Sequence, residues 1–298
     1  MPNTLYTAEQ AAAVAASLAH KDLNIAGTVS RDVEADFNPG RGLVVPVRIP
    51  GATVAGTKDP KDTTTPLDLG SIHEQTVPVE IDVHAFSRVA LSEADLSLGL
   101  TDYAAQVLAP QSAALASYSE DRVVKAMQAT PLKDLAFDEA NPARMFTAAR
   151  AALRKNGVNG ATPLLAAVGA DVYGALLDGP VSTFDADGKV RGFTVQESTS
   201  LAPGEAVFYI RNAFTLVLRA PIAPDGAPFS AAVRAQTENS EFALRLIRAY
   251  NPAVAAEESL VSVLVGSRAM PLPVVDTETG TVSLVEHGGA IRVDTASA

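Results

Sequence analysis

The sequence predicts an α+β protein organised around one long helix, and three observations carry that reading. Leu100–Gln128 (LTDYAAQVLAPQSAALASYSEDRVVKAMQ) contains no glycine and is dominated by Ala, Gln and Leu, residues that lose little entropy on becoming helical. Strand-like runs recur on both sides of it. The clearest is Glu74–Ser92, where Val77, Val79, Ile81 and Val83 alternate with Pro78, Glu80, Asp82 and His84. The composition, 47% hydrophobic but only 5% aromatic and without tryptophan, supports a real core built from Ala, Val and Leu.

The helix would span roughly 40 Å at its ordinary rise per residue, which suits a structural spine better than a small globular domain. Thr101 or Asp102 can cap it by accepting from first-turn N–H groups. Pro110 removes an N–H and crowds the preceding turn, so a kink is expected near Gln106–Pro110. Its apolar stripe (Leu100, Ala104, Val107, Leu108, Leu115, Tyr118 and Met127) is thin and drifts around the axis.

Ahead of it, Thr7–His20 reads as a short Ala-rich helix capped by Thr7, with Glu9 and Gln10 in a near capping box. Alone it would be marginal, so an arm that orders against something else is expected. Leu23–Phe37 is irregular, with a short strand possible at Gly27–Arg31. Asn38–Gly42 has turn chemistry. Leu43–Ile49 is a strand that Pro46 confines to an edge. Pro50–Asp68 is a long exposed loop without periodicity, and loops of that length are usually functional or mobile. Leu43–Ile49 and Gln75–Val89 together suggest a projecting hairpin with this loop at its tip.

Beyond the helix, Thr130-Pro131-Leu132 breaks the chain direction. Asn141–Asn156 is a second helix, with Asn141 as N-cap, Pro142 at the first helical position and Gly157 as stop. Met145, Phe146, Ala149 and Leu153 form its apolar face. Leu164–Val168 is a buried strand and Gly169–Leu177 a short helix. Strands are expected at Lys189–Val195, Ala206–Ile210, Phe214–Arg219, Glu241–Tyr250 and Ser259–Gly266, with a turn at Asp185–Gly188. Val274–Val293 reads as a terminal hairpin about Thr279-Gly280.

The chemistry-bearing residues exclude more than they suggest. A net charge of −11 disfavours a sequence-specific DNA reader, and the low aromatic content disfavours a single-strand stacking platform. Without cysteine there is no disulfide, thiol nucleophile or cysteine-ligated zinc. The N-terminus lacks the pattern of a signal peptide, and no run reaches the ~18 apolar residues of a membrane span. His20, His73, His84 and His287 fall in no metal-ligand spacing and read as surface histidines. No nucleophile elbow, P-loop or dinucleotide fingerprint occurs. Asp185-Ala186-Asp187-Gly188 resembles the start of a calcium loop, but the position that needs the bidentate Glu is Gln196, so a plain Asp-Gly turn is expected. No catalytic residue, cofactor or metal is therefore expected. Lys58, Asp59, Lys61 and Asp62 crowd the long loop and read either as a solvated tip or as a contact point for a neighbouring chain.

The order of these parts resembles the major capsid proteins of tailed bacteriophages, the Hong Kong phage-type or Johnson fold, in the branch that uses a separate scaffolding protein. The resemblance covers about residues 1–270. It rests on Ile25–Asp32, Gly42–Val47, the EQTVPVEIDVH run into the helix, Ala109-Pro110, Lys189–Val195, Asn212-Ala213-Phe214 and Arg248–Gly266. It implies an N-terminal arm (1–37), an extended loop with its strand (38–92, tip 50–68) and a peripheral domain (93–160) holding the spine helix 100–128 and a second helix 141–156. An axial domain (161–238) and returning peripheral strands (239–270) would follow. Residues 271–298 extend past the usual end and are expected to form a hairpin. The implied function is self-assembly into hexamers and pentamers of an icosahedral shell around double-stranded DNA. The implied partners are copies of the chain, a scaffolding protein, a portal and a cement protein, with no membrane involved. Two readings stand beside it: an encapsulin-type nanocompartment shell of the same fold, and an α+β enzyme or binding protein with an unrecognised site.

Overall fold

The computed structural model of the protein describes residues 7–295 apart from 22, 37–41, 50, 54, 65, 67–71, 73, 94–101, 180–182, 228, 238, 239, 277 and 278. Its centre is the expected helix. A π-helical turn at Ala104–Leu108 leads without a break into α2 (Ala109–Gln128). Asp102 caps it, its Oδ1 accepting from the N–H groups of Ala104 (3.0 Å) and Ala105 (3.2 Å). Where a kink is expected, at Gln106–Pro110, the helix has π geometry and continues unbroken through the proline. The Ala109 N–H reaches back to the Ala104 carbonyl, widening the turn just ahead of the proline ring. Leu100 and Thr101, the expected start, lie outside the described residues.

The thin stripe also has a structural reason. Leu108, Leu115, Val123, Val124 and Met127 are buried, and so are Gln111, Ser112, Ser119 and Glu120 between them. With Val107 and Ala116 the buried face is regular, but polar residues hold four of its eleven positions.

Ahead of the spine, α1 (Ala8–Lys21) packs on α2 and on strands β8 (Phe229–Thr237) and β9 (Ser240–Asn251). Ala11, Ala12, Ala15, Ala16 and Ala19 form its wholly buried face. Its start is a complete capping box: the Gln10 N–H donates to Thr7 Oγ1 (3.2 Å) and the Thr7 N–H to Gln10 Oε1 (3.1 Å). The strand expected at Gly27–Arg31 is reduced to a single bridge from Ser30 to Thr215, flanked by 3-10 turns at Ile25–Gly27 and Asp32–Asp36. The expected turn at Asn38–Gly42 lies, save for Gly42, outside the described residues.

β1 (Val44–Ile49) and β2 (Gln75–Glu80) pair antiparallel as a two-stranded ribbon, from Val44 opposite Glu80 to Ile49 opposite Gln75. Among the described residues neither strand has a second sheet neighbour, so Pro46 costs no ladder bond there. The run expected as one strand from Gln75 to Val89 is divided at Ile81-Asp82. Beyond the break β3 (Val83–Ser92) leaves the ribbon and pairs with β10 (Ala256–Ala269). The Arg122 guanidinium holds the Asp82 carboxylate at the break (2.5 and 2.7 Å).

Two larger sheets complete the fold. One has the order β3-β10-β9-β8, with β7 (Phe214–Arg219) also paired to β10. The other has the order β13-β6-β4-β5, from Ala290–Asp294, Glu205–Tyr209, Leu164–Val168 and Phe193–Glu197. Helices α3 (Ala143–Lys155) and α4 (Ala170–Asp178) belong to the same half of the chain as this second sheet. α3 starts later than expected. Pro142 takes the cap position with no side-chain cap, because Asp138 folds the preceding turn by accepting from the Ala140 and Asn141 N–H groups. Its end is a Schellman turn: Val158 N–H to Leu153 O (3.2 Å), Gly157 N–H to Arg154 O (3.1 Å), and Gly157 at φ +100°.

Two further strand expectations shift, and one strand was not expected. Lys189–Val195 becomes a strand only from Phe193, because Arg191 and Gly192 (φ +52° and +84°) form a tight turn between Val190 and Phe193. β8, whose sequence FSAAVRAQT draws its apolar content mostly from alanine and does not alternate, is a strand that sequence patterning missed. The terminal hairpin is confined to β11 (Leu272–Val275) and β12 (Val282–Val285), while β13 crosses to pair with β6. Sheet pairing thus divides the 161–238 segment: β7 and β8 join the sheet of β3, and β13 joins β4, β5 and β6.

Candidate assembly surfaces

The ribbon presents the long loop to solvent. Lys58, Asp59 and Lys61 are exposed and Asp62 is half-buried, all within one local turn. The aspartates shape that turn. Asp59 Oδ1 accepts from the Lys61 N–H (2.9 Å), and Asp62 Oδ1 accepts from the Thr64 N–H and hydroxyl (both 2.8 Å).

At its inner end the ribbon is tightly seated. Val45, Val79 and Ile81 pack with Val33 and Val217 in a small separate core. The Arg268 guanidinium donates to the Pro78 carbonyl. Gly266 is a close-approach glycine, since a Cβ there would strike the Glu80 carbonyl. Arg31 and Glu34 form a buried ion pair nearby (2.6 Å), with Glu34 also accepting from the Leu218 N–H (2.9 Å). At its outer end the Gln75 amide donates to the Val282 carbonyl (2.7 Å).

The segment after α1 is fixed to the spine by a carboxylate. Glu120, buried on α2, accepts from the backbone N–H groups of Asn24 and Ala26. Burial pushes its pKa up, and the backbone donors only partly offset that. Tyr209, buried beside it, is pushed up in the same way and shares a hydrogen bond with the Thr28 hydroxyl (2.5 Å). Where the spine meets the large sheet, Gln111 donates to the carbonyls of Ser87 and Ser259 (both 3.1 Å) and accepts from the Ser259 hydroxyl (2.8 Å). The Tyr103 hydroxyl donates to the same serine (2.7 Å), and Arg248 lies over the Tyr103 ring at 4.2 Å. Glu205 ties the far end, accepting from Arg292 (2.5 Å) and Gln128 (3.0 Å). Sequence patterning missed all of these ties. The only available signal was the helical spacing at which Gln111, Ser112, Ser119 and Glu120 fill gaps in the apolar stripe.

Among the described residues no group of three or more His, Asp or Glu side chains could hold a metal ion, and no helix is long and apolar enough to cross a membrane. The Asp185 turn closes through Gly188 N–H to Asp185 O (2.9 Å) and Asp185 N–H to Lys189 O (2.7 Å). His84 is exposed on β3, and His287 Nδ1 lies 3.4 Å from the Thr130 hydroxyl. The side chains of His20 and His73 lie outside the described residues. Exposed apolar side chains stand on β3 (Phe86) and at the β9–β10 turn (Tyr250, Val254).

The sequence matches no family model and no curated protein. Solved structures resemble the chain along nearly all of its length. A structure from Mycobacterium phage Che8 matches with a TM-score of 0.58 at 14% identity, covering 90% of each chain. The capsid structure of Cyanophage P-SCSP1u matches with 0.53 at 16% identity, over 85% of this chain and 83% of that one. A virus-like particle from Pyrococcus furiosus matches with 0.52 at 12% identity, over 95% and 96%. At such identities the likeness speaks for architecture: the chain is an α+β protein with the phage-capsid fold over most of its length.

Proposed function

We propose that this chain is the major capsid protein of a tailed bacteriophage, assembling into hexamers and pentamers that close an icosahedral shell around double-stranded DNA. The observation that carries the reading is the phage-capsid fold across 90% of the chain. A two-stranded ribbon that ends in an exposed loop suits a subunit stabilised by many repeated contacts with its neighbours. A net charge of −11 suits a container that must not trap its genome by charge attraction, so the DNA is held without sequence-specific contact. In this reading α2 is the spine of the peripheral part, together with the five-stranded sheet. The four-stranded sheet with α3 and α4 is the axial part, in place of the simple 161–238 segment. Lys58, Asp59, Lys61 and Asp62 form the contact tip. A scaffolding protein, a portal and a cement protein are the further partners, and the subunit has no catalytic role. Assembly takes place in the host cytoplasm and the product is the virion.

A second reading of the same fold is a nanocompartment shell with protein cargo; the likeness to a virus-like particle supports a shell and does not separate the two. Electron microscopy of the expressed protein, alone and with a co-expressed scaffolding protein, tests both. Closed shells are expected. Packaged nucleic acid identifies the capsid, and a copurified enzyme identifies the compartment. A monodisperse monomer under both conditions overturns assembly altogether.

A further inference from the structure

Residues 272–294 run along the molecule and touch four separate parts of it. β13 pairs with β6, from Ala290 opposite Tyr209 to Asp294 opposite Glu205. Arg292 then joins this strand to the end of the spine, donating to Glu205 (2.5 Å) and to the Gln128 carbonyl (2.7 Å). The hairpin of β11 and β12 is rooted on the Schellman turn of α3. Val274 closes on Gly157, and the Asn156 amide donates to the Gly288 carbonyl (3.1 Å). From that root the hairpin reaches the loop end of the ribbon, where Val282 accepts from Gln75 (2.7 Å). The ribbon is thus held near its base by Gly266 and Arg268 and near its tip by the hairpin.

We infer that the C-terminal segment is a strap whose β11–β12 hairpin braces the outer end of the β1–β2 ribbon and sets the direction in which it presents its loop. A ribbon of two short strands is marginal without support. Its base is clamped on one small core, so a second support near the tip removes the freedom to swing about that base. The same strap reaches the spine through Arg292, so the pose of the ribbon is fixed by the far end of the chain. This inference concerns a single subunit and does not depend on what the subunit assembles into.

Amide hydrogen exchange on the full-length protein, read at the ribbon, tests it with two variants. Gln75→Ala keeps the chain intact and removes one hydrogen bond, and exchange at Arg48–Ile49 and Gln75–Val77 is expected to quicken about fivefold, the weight of one such bond. Exchange at Val44–Val45 and Val79–Glu80, held by the inner clamp, stays as in the parent. Replacing Val275–Val282 by a short Gly-Asn turn, which keeps β13 in place, is expected to give a larger change with the same polarity from tip to base. Unchanged exchange at the outer end in both variants overturns the strap. So does an even loss along the whole ribbon, which would assign the effect to general loosening.

Discussion

The two large sheets are held together in different ways. The four-stranded sheet is backed by an aromatic cluster. Phe146 of α3 meets Phe193 and Phe208 with ring centroids 5.8 and 4.9 Å apart, Phe193 and Phe208 are 5.3 Å apart, and all three pairs are close to edge-on. These rings are fully buried and bring much apolar area to a small volume. The five-stranded sheet instead carries α1, whose buried face is all alanine, and α2, whose buried face alternates apolar side chains with Gln111, Ser112, Ser119 and Glu120. Alanine lets backbones approach closely but supplies little area. The seating of the layers is then fixed by directed bonds such as Gln111 to Ser87 and Ser259 and Glu120 to Asn24 and Ala26. The first region coheres through bulk and the second through close fit and hydrogen-bond register. The contrast lies in the helices, since the strands of both sheets bury large apolar side chains in one continuous core.

The sharpest way to break the comparison is to empty the aromatic cluster. Phe208→Ala is expected to lower unfolding stability by about 3–5 kcal/mol, measured by urea denaturation, because two ring contacts are lost and a cavity is left. In the alanine-faced layer the vulnerability is the reverse. Ala16→Leu adds volume where a helix lies close to β8, β9 and α2, and is expected to cost about 1–3 kcal/mol through overpacking. If that enlargement is tolerated without loss, the α1 layer has slack and the contrast between the two regions is wrong.

A smaller effect distinguishes register from bulk. Glu120 has its pKa raised in the folded state by burial, with Asp121 adding to the rise and the backbone donors opposing it. Its share of stability is therefore fully present below the ordinary glutamate value and is lost as pH rises through the raised one. Glu120→Gln keeps an oxygen for the Asn24 and Ala26 N–H groups and removes the ionisation. The difference in Tm between Glu120→Gln and the parent is expected to move in favour of the variant as pH goes from 4 to 8. A difference that stays flat, or moves the other way, would show that the backbone bonds outweigh burial.

Element types were largely legible in the sequence where the local chemistry acts alone. The Thr7–Gln10 capping box, the Gly157 stop, the Asp185–Gly188 turn and β4 all form where the residues predict them. Pro110 marked the irregular turn but not its π form, because backbone widening depends on how the helix is seated. Partnership was less legible. Nothing in QTVPVEIDVHAFSRV marks Ile81-Asp82 as the point where one strand changes sheets, since alternation keeps the same phase through the break. β8 escaped because its pairing with β9, and not its own pattern, makes it a strand. The buried Gln111 and Glu120 were hidden for the same reason: their partners lie far along the chain. The tip residues Lys58, Asp59, Lys61 and Asp62 were legible as part of an exposed loop but not as the local turn their aspartates fold, and their role toward a neighbour is a matter of the surface that faces them.

The smallest effect on folding and the largest on assembly are expected from the same change. Deleting Thr57–Thr64 removes the tip, in which Asp59 and Asp62 fold the chain locally by accepting from Lys61 and Thr64. The ribbon below it keeps its inner clamp at Gly266 and Arg268 and its outer brace at Gln75. Stability of the isolated subunit is therefore expected to stay within about 0.5 kcal/mol of the parent. In the proposed shell the tip meets the neighbouring subunit, and a contact repeated at every subunit multiplies even a weak loss. Shells of the deletion variant should be fewer, or should fall apart at lower denaturant concentration, as read by electron microscopy and light scattering. Normal shells from a normally folded deletion variant would show that the charged tip is only a solvated loop, and the contacts would then have to be sought on other surfaces, such as Phe86 of β3 or the Tyr250 and Val254 turn.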